Sequence, residues 1–291
     1  MAQNTNQSDT HARLTHLESL DIYQCYKSSP YLSLKHASYF YTYSEIFEHY
    51  RNKEITFVEV GVLNGGSLFM WRKYFGEKAR IIGIDLNPDA KKWENHGFEI
   101  YIGDQSEESF WDDFFANVGP IDIILDDGGH TYIQQITTTH CAIPHINDGG
   151  AIVVEDTHTS YLKEFGHPSK HSFVAWTKIL IDNINDRFPL VPNHSLNYKN
   201  HIYSIHNYES IVCLKINKTL CFENFQTSNN GTSSNAADFR YKNTFLEKIK
   251  NNILDKHQFL NKIPGIEWLK LFITRHYNNY ITSKKTHKYF K

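Results

Sequence analysis

The stretch Glu59-Val60-Gly61-Val62-Leu63-Asn64-Gly65-Gly66-Ser67 joins an apolar run, Ile55–Val62, to a segment of helical length, Ser67–Tyr74. Glycines let the backbone turn tightly and come close to a ligand, and the start of the following helix presents free N–H groups. The stretch therefore predicts a strand, a turn that binds a nucleotide-like ligand, and a helix. Since Leu63 stands where the G-x-G-x-x-G fingerprint needs its second glycine, the spacing argues against NAD.

Four more short apolar runs follow at even spacing, separated by segments of helical length. Runs this apolar suit strands that helices cover on both faces, so the pattern predicts an α/β fold with a doubly wound, mostly parallel, Rossmann-like sheet. Later, Ile202–His206 and Ser210–Ile216 flank a short turn, which predicts a terminal antiparallel β-hairpin. The other predicted strands are Arg80–Leu86, Phe98–Gly103, Ile121–Leu125 and Ala151–Val154, and the other predicted helices are Glu107–Ala116, starting at Ser106, and Tyr132–Ile146.

The chain divides by composition into four predicted segments. Residues 1–54 are expected to form an N-terminal helical lead-in, and residues 55–218 the ligand-binding domain. Residues 219–240 include the Asn/Ser/Thr-rich Gln226–Ala237, which has nothing to bury and predicts a mobile linker or loop. Residues 241–291 are predicted to form a helical tail, with apolar spacing at Phe245, Ile249 and Ile253. Its basic end, with Lys284, Lys285, Lys288 and Lys291, is either a solvated terminus or a contact for anionic lipid or a partner protein.

The composition narrows the possible partners and the compartment. Hydrophobic residues make up 40% and charged residues 21% of the 291 residues, which is typical of a globular protein. With 30 Lys+Arg against 32 Asp+Glu, the net charge of −2 gives no field that would attract nucleic acid or an anionic membrane surface. The four cysteines lack zinc or disulfide spacing, and no signal peptide or membrane span is evident. We therefore expect a cytoplasmic protein with reduced thiols.

Three successive predicted strands end in residues suited to one cofactor. Glu59-x-Gly61-x-x-x-Gly65 resembles the first motif of class I S-adenosylmethionine-dependent methyltransferases, in which this loop passes beneath the methionine part of the cofactor. Asp85 ends the second strand, where a carboxylate accepts hydrogen bonds from ribose hydroxyls, although an acid in a surface turn is an alternative. At the third strand end the resemblance implies an adenine contact, which a helix cap at Ser106 would explain only in part. The predicted cofactor-binding residues are Glu59, Gly61, Gly65, Ser67, Asp85, Asp104, Gln105 and Asp126.

Carboxylates gather at the ends of the next two predicted strands. Asp126-Asp127-Gly128-Gly129-His130 follows one strand, and Glu155-Asp156-Thr157-His158 follows the other. If the strands are neighbours, they lie about 4.8 Å apart, so the acids should converge. Burying that much like charge is unfavourable unless protons, hydrogen bonds or a cation offset it, and an all-oxygen cluster suits a hard ion such as Mg²⁺, Mn²⁺ or Ca²⁺. The alternative is that some of these acids only cap helices or accept backbone hydrogen bonds.

The same two strand ends resemble a specific branch of the methyltransferases. The pattern D-D-G-x-H, followed by G-G-x-x-V-x-E-D-x-H-T-S-Y at residues 149–161, is similar to the metal-dependent sugar O-methyltransferases of macrolide tailoring, mycinamicin type, and to related methyltransferases of surface-polysaccharide clusters. The resemblance covers roughly Thr56–Ile216. It implies S-adenosylmethionine and Mg²⁺ or Mn²⁺ as cofactors, a small-molecule or glycan substrate, and a possible homo-oligomer. The implied metal ligands are Asp127, Glu155 and Asp156, the implied catalytic residues are His130, as general base, and Asp127, and the substrate-binding candidates are His158 and Tyr161.

The chemistry of these residue types agrees with that reaction. The methyl group of the sulfonium is already activated, so the protein must align a hydroxyl with it and remove the hydroxyl proton. A divalent cation on two adjacent hydroxyls would orient and acidify them, and His130 could accept the proton. Three alternatives remain: metal-independent N- or O-methylation, a catalytically silent subunit of a glycan assembly, and an iron hydroxylase built on His130, His158 and Asp127.

Overall fold

A seven-stranded sheet organises the chain and confirms the predicted fold class. The computed structural model describes residues 15–166, 168–189, 191, 198–232 and 265–290. The strand order is β3-β2-β1-β4-β5-β7-β6, in which the first five strands are parallel and β7 is antiparallel to both of its neighbours. The strands are β1 (Thr56–Val60), β2 (Arg80–Asp85), β3 (Glu99–Ile102), β4 (Ile121–Asp126), β5 (Ile146–Val154), β6 (Ile202–Tyr208) and β7 (Ile211–Ile216).

Helices lie on both faces of this sheet, as the apolar strands require. Along β1, Phe57 belongs to the core cluster on one face and Val58 to the cluster on the other, and the same alternation holds for Ile123 and Ile124 in β4. This period of two is what a strand with two covered faces produces. The helices of the part of the chain that contains the sheet are α1 (Asp21–Lys27), α2 (Ala37–Phe47), α3 (Gly66–Phe75), α4 (Glu108–Val118), α5 (Tyr132–Ala142) and α6 (Phe173–Asn185). One more helix, α7 (Ile266–Thr286), follows later in the chain.

Two boundaries differ from the sequence predictions. Helix α4 begins after Glu107 without a side-chain cap, and the Ser106 hydroxyl instead donates a hydrogen bond to Asp104, so the predicted start at Ser106 is wrong. Helix α5 ends at Ala142 and β5 begins at Ile146, five residues before the predicted strand. Polar residues and two glycines at the start of β5 hid this extension, since three consecutive residues there are exposed and give no alternating apolar pattern.

The chain forms two compact units, Met1–Gln226 and Thr227–Lys291. The second contains α7, whose last turn carries Lys284 and Lys285. The predicted apolar spacing at Phe245, Ile249 and Ile253 lies outside the described residues. In the part of the chain that the structure describes, no helix combines the length and apolar character needed to cross a bilayer.

The segment between the two units gives a testable prediction. Residues 221–232 have no regular structure, and the side chains of Phe222 and Phe225 are 54% and 69% exposed. Backbone without buried contacts or secondary structure opens at low cost, so chymotrypsin should cut first after these two phenylalanines. Mass spectrometry of a brief digest would identify the products. Early cleavage inside the sheet, with this segment intact, would contradict the prediction.

Candidate active site

The sheet register brings the predicted site residues to one edge. Val60 pairs with Ile84 and with Asp126, and Asp126 pairs with Val154, so the residues that follow these strands emerge side by side. They surround a cavity of about 600 Å³, within the roughly 300–1,000 Å³ usual for small-molecule sites. The predicted residues that line it are Gly61, Asp85, Asp104, Gln105, Asp127, His130 and Asp156.

The loop after β1 is held by backbone contacts that only glycine permits. Gly61 has φ +90°, and a Cβ atom there would lie 2.1 Å from the Asp127 carbonyl oxygen. The Asp85 carboxylate accepts hydrogen bonds from the backbone N–H groups of Val62 and Leu63 at 2.9 and 3.0 Å. The predicted ribose partner therefore also fixes the glycine loop, and it ties two predicted cofactor-binding loops to each other.

The third and fourth strand ends are joined by buried amide and acid groups. Gln105 donates to Asp126 at 2.9 Å and accepts a hydrogen bond from the Gly129 N–H at 3.0 Å. Asp126 is fully buried, and burial raises its pKa although Gln105 and the Gly128 N–H lower it. Asp126 thus supports the cavity from beneath, whereas Asp104 lies at the cavity wall.

Asp127, His130 and Asp156 form a compact group at one end of the cavity. His130 Nε2 lies 3.2 Å from Asp156 Oδ2 and 3.9 Å from Asp127 Oδ1. One ligand atom from each residue lies within 4.8 Å of the others, a spacing that would suit a bound cation. His130 and Asp156 both have left-handed backbones, with φ 58° and 54°, a conformation that costs free energy and recurs at functional sites.

A second group of acids lies beneath this one and contains an internal cation. The Lys35 ammonium group lies 3.1 Å from both Glu155 carboxylate oxygens and 3.9 Å from Glu59, and it also donates to Asp127 Oδ2. The Lys35 side chain is only 1% exposed. Tyr43 donates a hydrogen bond to Glu155 from helix α2. Glu155, predicted as a metal ligand, is therefore held by residues of the N-terminal region.

The single positive charge of Lys35 cannot neutralise three carboxylates, and the pKa values of the cluster are shifted as a result. Burial by itself lowers the pKa of Lys35, but Asp127, Glu155 and Glu59 outweigh it and leave this pKa above its ordinary value. Burial and the neighbouring Asp127 carboxylate raise the pKa of Glu155. Burial also raises the pKa of Glu59 to about 7, although Lys35, Trp71 and Ser67 lower it. The cluster therefore favours an additional proton or cation.

Glu59 does not reach the cavity wall, and its buried acid group should make stability depend on pH. Between its ordinary value of 4.5 and about 7 the folded protein holds a proton that the unfolded chain has released, so stability falls as pH rises through this window. A Glu59→Gln variant lacks this titration. As the pH rises through this window, the free energy of unfolding of the variant should increase relative to that of the parent, by roughly 3 kcal/mol at most. Denaturant unfolding of both proteins in EDTA would measure the difference, and parallel pH profiles would contradict the prediction.

The other predicted residues lie around the cavity without lining it. Gly65 and Ser67 lie at the start of α3, where Ser67 donates a hydrogen bond to Glu59 at 2.7 Å. His158 contacts Ser210 through Nδ1 and lies 3.8 Å from Asp156, and the Tyr161 side chain is 61% exposed. Among the described residues, the two groups spaced to hold a metal are Asp127, His130, Asp156 and His36, Asp156, His158. The iron set that joins His130, His158 and Asp127 is not one of them.

Sequence reasoning missed the residues that the N-terminal region contributes. Lys35 precedes α2 without a motif, and the prediction of a helical lead-in over residues 1–54 gives Tyr39 and Tyr43 no role at the site. In the structure Tyr39 donates to Asp156 and Tyr43 to Glu155. The tyrosine spacing of four residues places both hydroxyls on one helix face, which is the only signal that sequence offered.

Comparison with known proteins gives the class of this domain. A family model described as a methyltransferase domain matches residues 58–157. Together with the sheet order and the cavity at the carboxyl edge, this match shows that the chain contains a methyltransferase domain of the class I fold.

Particular relatives are sugar O-methyltransferases. Demethylmacrocin O-methyltransferase of Streptomyces fradiae is 30% identical over 60% of this chain and 47% of its own length. Mycinamicin VI 2''-O-methyltransferase of Micromonospora griseorubida is 32% identical over 58% of this chain and 45% of its own length. Among solved structures, the MycE methyltransferase of the mycinamycin pathway, in complex with Mg and SAH, has a TM-score of 0.60 and 27% identity over 68% of this chain and 53% of that one. The chain thus spans about half the length of these relatives.

Proposed function

We propose that the chain is an S-adenosylmethionine-dependent O-methyltransferase that methylates a sugar or sugar-like hydroxyl with the help of Mg²⁺ or Mn²⁺. The observation that carries this proposal is a single cavity in which the strand-end loops at Gly61, Asp85 and Asp104 meet the group Asp127, His130 and Asp156. The similarity to macrolide sugar O-methyltransferases, and to a relative whose structure holds Mg and SAH, supports it.

The donor set fits both cofactors. When bound, S-adenosylmethionine would supply an activated methyl group, and a divalent cation would orient and acidify neighbouring hydroxyls of the acceptor. Gly61, Asp85 and Asp104 would hold the former. Asp127 and Asp156 face the cavity with carboxylate oxygens, the ligand type that hard cations prefer, and Glu155 is the third predicted ligand.

His130 is the group placed to remove the acceptor proton. Its Nε2 lies 3.2 Å from Asp156 Oδ2, and this carboxylate would stabilise the positive charge that the imidazole gains. The hydroxyl proton would pass to His130 while the methyl group of the cofactor is transferred to the acceptor oxygen. His130 would then return this proton to solvent. This part of the reaction needs one base and no redox change.

The proposal also covers the acceptor class, the cellular location and the oligomeric state. The proposed acceptor is a glycan of a natural product or of a surface polysaccharide, and the names of the sugar-modifying relatives support the natural-product class. The described cysteines are free thiols, which agrees with the expected cytoplasmic location. A homo-oligomer is one candidate quaternary state, and measuring the molar mass in solution would test it.

Lys35 favours one second candidate, a methyltransferase that needs no metal. Its ammonium group already neutralises part of the acid cluster, so charge balance alone does not demand a divalent cation. In that case the exposed carboxylates would bind the acceptor directly. Activity in EDTA separates the two candidates.

Cofactor binding is the first test of the proposal. Calorimetric titration with S-adenosylhomocysteine should show tight binding with and without Mg²⁺, whereas NAD should not bind. Asp85→Ala should weaken binding by about tenfold or more, because it loses charge-assisted hydrogen bonds worth about 1.5–3 kcal/mol each and loosens the glycine loop. Methyl transfer would then be followed by mass spectrometry on nucleotide sugars and simple glycosides. Tight NAD binding without a response to S-adenosylhomocysteine would overturn the assignment.

A further inference from the structure

Lys35 lies where an ion from solution would otherwise be expected. Its ammonium nitrogen contacts Asp127 Oδ2 and both oxygens of Glu155, and it is 3.9 Å from Glu59. The side chain is 1% exposed, so it cannot touch an acceptor in the cavity. Its chemistry at this position is that of a fixed positive charge.

The chain holds Lys35 in place through the N-terminal strap, Ser28–His36. Ser29 donates a hydrogen bond to the Gly66 carbonyl at 2.7 Å, and the Tyr31 ring packs edge-on against Trp93 at 4.6 Å. A Cβ atom on Gly66 would come within 2.3 Å of the Tyr31 carbonyl oxygen, which shows how closely the strap lies on the start of α3. The strap therefore fixes where the Lys35 side chain enters the acid cluster.

Asp127 and Asp156 leave a different position for a second cation. Asp127 turns Oδ2 towards Lys35, and its other oxygen, Oδ1, lies 3.9 Å from His130. Asp156 Oδ2 lies 3.2 Å from the same His130 nitrogen. We call the position among Asp127, Glu155 and Glu59 the inner position, and the position between the Asp127 and Asp156 carboxylates, beside His130, the outer position. The outer residues line the cavity, whereas Glu155 and Glu59 do not.

We propose that Lys35 is a built-in cation that occupies the inner position and thereby confines a divalent metal ion to the outer position. Asp127 serves both positions, with one oxygen for each. Glu155 then acts as a partner of Lys35 rather than as a metal ligand, and Lys35 is a positioning residue that sets which carboxylates the metal meets. The proposal rests on the proposed function only in that a metal binds this cavity.

Manganese binding tests the proposal without any turnover. The affinity of the full chain for Mn²⁺ would be measured by electron paramagnetic resonance, without cofactor or acceptor. Lys35→Met should bind Mn²⁺ more tightly by about tenfold or more, because it removes a like charge a few ångströms away and frees Asp127 and Glu155. Lys35→Arg should resemble the parent. Lys92→Met is the matched control, since Lys92 lines the same cavity but lies over the Trp93 ring.

Two carboxylate variants keep the proposal testable even if Lys35→Met does not fold. In the parent background Asp156→Asn should weaken Mn²⁺ binding by about tenfold or more, whereas Glu155→Gln should change it little. In the Lys35→Met background Glu155→Gln should weaken Mn²⁺ binding as well. Equal losses for the two variants in the parent, or an unchanged or lower affinity in a folded Lys35→Met, would overturn the proposal. These experiments measure Mn²⁺ binding and not methyl transfer. Their outcome can therefore be distinguished from a failure of the proposed function, which the cofactor titration would reveal.

Discussion

Methyl transfer to a nucleotide sugar or glycan should stop when EDTA removes divalent cations, and it should resume when Mg²⁺ is added back. In the proposed mechanism the acceptor hydroxyls depend on the cation for orientation and acidity, whereas the loops at Gly61, Asp85 and Asp104 would hold the cofactor. Binding of S-adenosylhomocysteine should therefore survive EDTA. Activity that is unchanged in EDTA would contradict metal assistance and favour the metal-independent candidate. The fold assignment does not depend on this result.

An Asp156→Asn variant should reproduce the effect of EDTA at ordinary Mg²⁺ concentrations. The asparagine has nearly the same shape, so it can keep a contact with Tyr39, but it loses the charge that a hard cation requires. Activity should recover in part at high Mg²⁺. Asp113→Asn, an exposed acid on α4, is the matched control and should behave as the parent. An Asp156→Asn enzyme with the parent's Mg²⁺ requirement would show that this carboxylate does not hold the ion.

Replacing His130 with alanine should lower the rate of methyl transfer by about 10²–10⁴-fold, the usual range for losing a positioned acid–base group. The imidazole is the one group in the Asp127, His130 and Asp156 cluster that can accept a proton as a neutral base. Mn²⁺ and S-adenosylhomocysteine binding should change far less than the rate, because the carboxylates and the glycine loop remain.

The histidine prediction has its own control. His206→Ala removes an exposed histidine from β6, where it contacts Ser204 and Tyr208 outside the cavity wall, so its rate should match that of the parent. Single-turnover kinetics would separate the chemical step from binding. A His130→Ala enzyme with the parent's rate would remove His130 from the role of base.

Strong local patterns made the sheet predictable. Apolar runs such as Ile121–Leu125, each ending in glycine or acid, specify buried strands and place their functional ends at one edge. The start of β5 was not predicted because Asn147 and Asp148 are exposed polar residues. Asp148 accepts hydrogen bonds from Lys218 and Thr219, which are distant in sequence. Such tertiary contacts leave no periodicity in the sequence.

The candidate site was predictable where it lies on the strand ends and not where it depends on the N-terminal region. Asp127, His130 and Asp156 follow directly from motifs that adjacent strands bring together. Lys35 could not be inferred, because a lone lysine in an irregular segment usually lies in solvent, and nothing local indicates that three acids surround it. For the same reason Glu155, adjacent in sequence to Asp156, was predicted to share its environment, although its carboxylate lies beneath the cavity.

The contacts of Lys35 with Asp127 and Glu155 span 92 and 120 residues. Contacts between residues so far apart require the closure of long loops, and they slow folding relative to local contacts. We therefore expect the strap to dock late, after the parallel strands have brought their acidic ends together. We expect refolding to be faster in mildly acidic solution or at raised salt, where protons or counter-ions screen those ends, and an N-terminal truncation that removes the strap should lose this late step altogether.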